Sequence, residues 1–144
     1  MIVAAAAYPL SYLADFAQWQ AKATSWVEEA AAQGAQLLVI PEYGSMELAS
    51  LGGREVAADL ERALHEVARW QPDVDAHLSA LAARLGVHIL GASAPFFPTP
   101  GARPVNRASF YGPGGILGHQ DKQIMTRFER EIWFVEAGQG LPVF

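Results

Sequence analysis

The sequence predicts an α/β protein, a layered sheet whose early strands are joined by helical crossovers. Short continuous apolar runs, Ile2–Tyr8, Leu37–Ile40 and Val87–Ala92, read as strands, the last two as buried ones, and Leu37–Ile40 suits a strand covered on both faces. The segments between them repeat apolar residues at three- and four-residue spacing, which is the period of amphipathic helices. A later stretch alternates around a glycine-rich turn, as a hairpin does. The resulting order is β-α-β-α-α-β-β-β, and strands alternating with helices imply a sheet with crossovers in its first half.

Composition bounds what such a chain can do. Its 144 residues suit one domain, and 51% hydrophobic against 17% charged residues marks a globular chain. A net charge of -5 and a pI near 5.3 argue against nucleic acid or an anionic membrane as partner. The apolar start lacks a basic n-region and is interrupted by Pro9 and Asp15, so neither a signal peptide nor a membrane span is expected, and the expected location is cytoplasmic. The absence of cysteine excludes disulfides, thiolate metal sites and a cysteine nucleophile within these residues. With four scattered histidines and no thiols, no metal site and no cofactor are expected. The Gly112–Gly115 turn lacks the strand-to-helix context of a phosphate loop.

In chain order, Ile2–Tyr8 reads as a first strand stopped by Pro9. Asp15 stands three residues before Gln18 as a capping box for a helix running to about Gln33, with Gly34 as its stop. Phe16, Trp19, Ala23, Trp26, Val27 and Ala30 form its apolar stripe, and the tryptophans read as core or interface anchors. A Gly-Ser-rich passage precedes a second helix with Val56, Leu60, Ala63, Leu64 and Val67 inside. Pro72 is expected to break it and to begin a third helix, striped by Val74, Leu78, Leu81 and Leu85 and ended by Gly86. His65 and His77 read as structural or surface residues, and His88, within the third strand, as a core or packing histidine. Ala94–Pro104, with Pro95, Pro98, Pro100 and Pro104, reads as loop. Val105–Tyr111 and the strand starting at Ile116 form the hairpin.

Two charged residues stand out. Pro41 cannot donate to a sheet ladder, so the Leu37–Ile40 strand ends there and Glu42 falls just past its carboxyl end. Open α/β sheets place their ligand crevice at that edge. Lys122 likewise comes just after a strand end, so both side chains project toward one rim if the strands neighbour each other. A lysine beside a carboxylate in a dry pocket is a recurrent catalytic pairing. That reading requires the Glu42 carboxylate and the Lys122 ammonium to lie within hydrogen-bond reach.

The combination resembles the nitrilase, or carbon–nitrogen hydrolase, superfamily: PEYG at 41–44, then LGVHILG, then NRASFYGPGG from Asn106, then HQDKQ around Lys122 and the segment FEREIW. Asn106-Arg107-Ala108 and the turn before Ile116 fit the family's approach to its lysine. The resemblance implies a nitrilase-like four-layer αββα sandwich, present here as an incomplete N-terminal portion over residues 1–144, in assemblies that commonly dimerise or go further. It implies a cysteine–glutamate–lysine mechanism on amides or, less favoured, nitriles, with Glu42 as general base and Lys122 stabilising the developing negative charge. A second glutamate near the substrate is implied too. Glu131 fits it best, with Glu129 as the other register, and Tyr43 is a supporting substrate-side residue. The cysteine is expected on a later strand, supplied by a complementary C-terminal half or a longer chain, so the 144 residues alone are expected to be inactive. Two other readings stand beside this one. One is a non-catalytic assembly module that associates through the Trp19/Trp26 face and exposed strand edges, with Glu42 and Lys122 as a buried ion pair. The other is a carboxylate-pair hydrolase built on Glu42 with Glu129 or Glu131.

Overall fold

A computed structural model describes residues 1–144. Its centre is a mixed sheet of six strands: β1 (Val3–Ala5), β2 (Leu37–Val39), β3 (His88–Leu90), β4 (Ala94–Phe96), β5 (Val105–Gly112) and β6 (Gly115–Asp121). β1, β2 and β3 run parallel side by side, which requires a crossover between each pair. α1 (Phe16–Ala32) makes the first, and a longer helical excursion makes the second. β5 runs antiparallel to β3, β4 and β6. β6 therefore points the same way as β2 and β3, and their carboxyl ends share one edge of the sheet.

α1 begins where the sequence indicates. The Asp15 carboxylate accepts the backbone N–H of Gln18, and Gly34, at φ 85°, takes the left-handed conformation just beyond the last turn. Trp19, Ala23, Val27 and Ala30 are its buried stripe. Trp19 is 4% exposed and belongs to the core, while Trp26 is half-buried and packs against it.

The second crossover departs from the sequence expectation. The passage after Glu42 is a 3-10 helix, Gly44–Gly52, then the short α2 (Arg54–Ala58) and then α3 (Leu60–Leu85), one helix of 26 residues. The break falls at Asp59, whose carboxylate accepts the N–H groups of Glu61 and Arg62, and Pro72 lies inside the helix. Proline in a helix interior loses one hydrogen bond and costs about 3 kcal/mol. The buried stripe Leu64, Val67, Val74, Leu78, Leu81 continues in phase through it, with Val67 and Val74 two turns apart. Burial of that unbroken stripe outweighs the local defect.

Ala94–Phe96, expected as loop, is instead the strand β4. It continues along β5 where β3 leaves off and needs no N–H from Pro95 to do so. Between them Gly91 passes close to Tyr111, where a Cβ would sit 2.8 Å from the ring. His88 is exposed and stacks on Phe110, so it packs on the sheet surface and not in the core. His77 meets Thr24 and Gln20, and His65 stacks on Phe97 from an exposed position.

The register divides the sheet into two unlike faces. Ala4, Leu38, Ile89 and Tyr111 align across β1, β2, β3 and β5 and pack into the same core cluster as α1 and α3. Val3, Leu37, His88, Val39, Leu90 and Phe110 align on the other side. No helix covers that side: Val3 is 53% exposed, and only the terminal Phe144 ring comes over Phe110 and Gly118. The chain thus holds one sheet and one helical layer, half of the layers a four-layer sandwich has.

Candidate active site

Glu42 and Lys122 meet at the shared carboxyl edge, although β3 and β5 lie between β2 and β6. They are not on neighbouring strands, as the simplest reading required. The strand ends and the reach of the two side chains close the gap. β2 makes its last pairing at Ile40, whose N–H donates to Leu90, and Pro41 then turns the chain outward to Glu42. Lys122 comes directly after β6, and its own N–H donates to the Asn106 carbonyl at 2.8 Å. The Lys122 Nζ donates to Glu42 Oε1 at 2.7 Å.

The same ammonium donates to Glu129 Oε2 at 2.8 Å. The preference for Glu131 over Glu129 is therefore corrected: Glu131 is exposed and pairs with Arg127 one turn back on α4 (Arg127–Glu131). The cause is local. Thr126 caps α4 and accepts the Glu129 N–H, while the Glu129 carboxylate reaches back to the Thr126 N–H at 2.8 Å. That capping box folds Glu129 inward, whereas Glu131 stands two residues further round the helix. The spacing Thr126-x-x-Glu129 was legible in the sequence and would have chosen the register.

Tyr43 completes the cluster. Its phenol donates to Glu129 Oε1 at 2.7 Å, its N–H donates to the Ser93 hydroxyl at 3.0 Å, and its ring meets Trp133 edge-on. Its backbone lies at φ 56°, a left-handed conformation uncommon for a residue with a side chain, directly beside Glu42. Asn106, on β5 and 2% exposed, donates its amide to Glu42 Oε1 at 2.9 Å and stands 3.5 Å from Glu129 Oε1. Sequence reasoning named Asn106 and assigned it no part in the site. Its inward position comes from the strand register and from β5 crossing between the two charged ends.

The charges in this cluster sustain one another. Burial alone disfavours the Glu129 carboxylate, but hydrogen bonds from Lys122, Tyr43 and Thr126 outweigh it and hold the carboxyl at about 2, well below the usual 4.5. Burial alone would lower the Lys122 ammonium, yet the hydrogen bonds to Glu129 and Glu42 carry it upward instead. Burial, and then the bond to Glu129, push the Tyr43 phenol up, so Tyr43 remains a donor. Lys122 stands between the Glu42 and Glu129 carboxylates, unlike a sugar-cleaving acid pair, which faces the bond to be broken without a cation between. An open cavity of about 320 Å³ adjoins the cluster, with Glu42, Asn106, Lys122 and Gln120 as polar walls and Val39, Leu90 and Ala108 as apolar ones. The cavity opens on the uncovered face of the sheet. No helix in the molecule is long and apolar enough to cross a membrane.

Comparison with known proteins agrees with this architecture. The family model described as carbon-nitrogen hydrolase matches residues 2–144. No curated protein matches. Among solved structures, an amidase from Nesterenkonia sp. is 21% identical with a TM-score of 0.68, over 99% of this chain and 50% of its own. A carbon-nitrogen hydrolase from Helicobacter pylori G27 is 18% identical with a TM-score of 0.67, over 90% of this chain and 42% of its own. The chain thus spans about half the length of the structures it matches or somewhat less. Structures of the amidase from Nesterenkonia sp. AN1, at 22% and 23% identity, hold acrylamide added at the active-site cysteine and, in another mutant, butyramide.

Proposed function

This chain belongs to the carbon–nitrogen hydrolase family, and on that premise we propose that it supplies the base, the cation and the supporting carboxylate of an amide-hydrolysing site whose cysteine comes from outside these 144 residues. The observation that carries the reading is the Lys122 ammonium, 2.7 Å from Glu42 and 2.8 Å from Glu129 at the mouth of the cavity. The amide class is supported by the butyramide held by a fold relative.

In this mechanism Glu42 takes the proton of the cysteine thiol, and the sulfur adds to the amide carbonyl carbon. Lys122, kept cationic by its two carboxylates, stabilises the negative charge that develops on the carbonyl oxygen. The tetrahedral adduct collapses, and the carbon–nitrogen bond breaks as the proton held at Glu42 passes to the nitrogen. Ammonia or an amine leaves and a thioester remains. Water then gives a proton to Glu42 and adds to the thioester carbon. The second collapse releases the carboxylic acid and returns the proton to sulfur. Glu129, tied to Tyr43 and Thr126, holds the ammonium in place and does not touch the reacting atoms.

The test is co-expression of the chain with a cysteine-bearing C-terminal half of a family member, reading ammonia released from butyramide. The chain alone is expected to release none, and the reconstituted pair to be active. In that pair Glu42→Gln is expected to lower kcat by at least about a hundredfold, the usual scale of a general base. Full activity in Glu42→Gln would end the assignment.

A further inference from the structure

The Asn106 side chain presents an unusual balance of satisfied and unsatisfied groups. Its Nδ2 faces two carboxylates, Glu42 at 2.9 Å and Glu129 at 3.5 Å. Carboxylates only accept, so the amide nitrogen has to be the atom turned toward them. That orientation leaves Oδ1 buried with no hydrogen-bond partner. A buried acceptor left unpaired is unfavourable, and native chains keep few of them. The same residue's backbone carbonyl receives the Lys122 N–H. One side chain and one peptide group therefore touch Glu42, Glu129 and the backbone of Lys122 at once.

Charge explains why an amide stands there. Two carboxylates share one ammonium, so the cluster carries an excess negative charge that a single lysine does not neutralise. An extra N–H donor aimed between the carboxylates offsets their repulsion without adding a proton that could be lost. Aspartate in the same shape would bring a third carboxylate to the cluster. Glu42 has the most need of this contact, because its side chain is 53% exposed and sits outside the capping box that secures Glu129.

We propose that Asn106 is a positioning residue that clamps the Glu42 carboxylate against Lys122, at the cost of an unpaired carbonyl oxygen. The inference rests on the hydrolase reading for its purpose, but not for its geometry. It acts through Glu42 and does not itself touch substrate.

The test uses the 144-residue chain and reads, in crystal structures of two variants, where the Glu42 carboxylate stands relative to the Lys122 ammonium. Asn106→Leu removes the donor together with the unpaired oxygen, and Asn106→Asp keeps the shape but replaces the donor with an acceptor. The Glu42 carboxylate is expected to lose its hydrogen bond to Lys122 in part of the molecules of Asn106→Leu, and in a larger part of those of Asn106→Asp. Thermal unfolding of Asn106→Leu should stay close to that of the unchanged chain, because the lost bond and the relieved oxygen offset each other. A purely space-filling asparagine would leave the Glu42–Lys122 contact intact in both variants and alter stability only. Either an intact contact in both folded variants or the reverse order overturns the proposal. If the expected order holds and no reconstituted form hydrolyses amides, the clamp stands and the hydrolase reading falls.

Discussion

At the scale of single residues, the site is an arrangement in which each charge depends on a named partner. Glu129 is the clearest case. Its carboxyl is held at about 2 when folded, against 4.5 ordinarily, so the folded chain favours the ionised form. This stabilisation is therefore complete above pH 4.5 and is lost as pH falls toward 2. It amounts to at most about 3–4 kcal/mol, at roughly 1.4 kcal/mol per unit. Thermal unfolding measured from pH 6 to pH 2 is expected to show this loss, and Glu129→Gln should remove that part of the acid dependence. Lys122 acts at the other end of the scale, since its contribution holds below the ordinary lysine value of 10.5 and is lost only as pH rises through its raised one. Glu42 was legible in the sequence because it follows an apolar strand that ends abruptly at Pro41, and Lys122 because it follows the second strand of the hairpin. The choice between Glu129 and Glu131 was legible too, in the Thr126 capping box, but the spacing of Glu131 to Trp133 favours the other register.

At the scale of elements, the long helix shows how burial overrules a local signal. Pro72 is a strong helix breaker by itself, and reading it as a boundary accords with its backbone chemistry. The stripe from Ala63 to Ala82 is nevertheless continuous, and the sheet offers one uninterrupted surface to receive it. Pro72→Ala is expected to raise stability by about 1–2 kcal/mol: the helix regains one hydrogen bond, less the entropy a proline removes from the unfolded chain. Urea unfolding would measure it, and a loss of stability would mean that the helix does break at that point. Asp59 reads as an ordinary polar residue until its two accepted N–H groups are seen. β4 was hidden for the opposite reason. Its short, proline-bearing run carries no alternation, and only the exposed edge of β5 makes it a strand.

For the whole molecule, the two faces of the sheet differ in what they contribute. Leu38 is fully buried beneath the helices, so Leu38→Ala is expected to cost about 2–5 kcal/mol in urea unfolding. Val3, aligned on the other face and half exposed, should cost less than about 0.5 kcal/mol as Val3→Ala. Comparable losses at both positions would show that the open face is covered in solution. An apolar sheet face with a polar cavity at its rim is the kind of surface that receives another protein layer. This is consistent with a chain that matches a hydrolase family over its own length and spans about half or less of its structural relatives.

The sequence by itself determined the alternation of strands and helices, the two charged residues at strand ends and the absence of a cysteine, because periodicity, strand-ending proline and composition are local or countable properties. Only the tertiary structure decided that Asn106 stands between the carboxylates and that the helix runs through Pro72. Those outcomes depend on which strands lie between others and which faces are buried, and no local stretch of sequence carries that information.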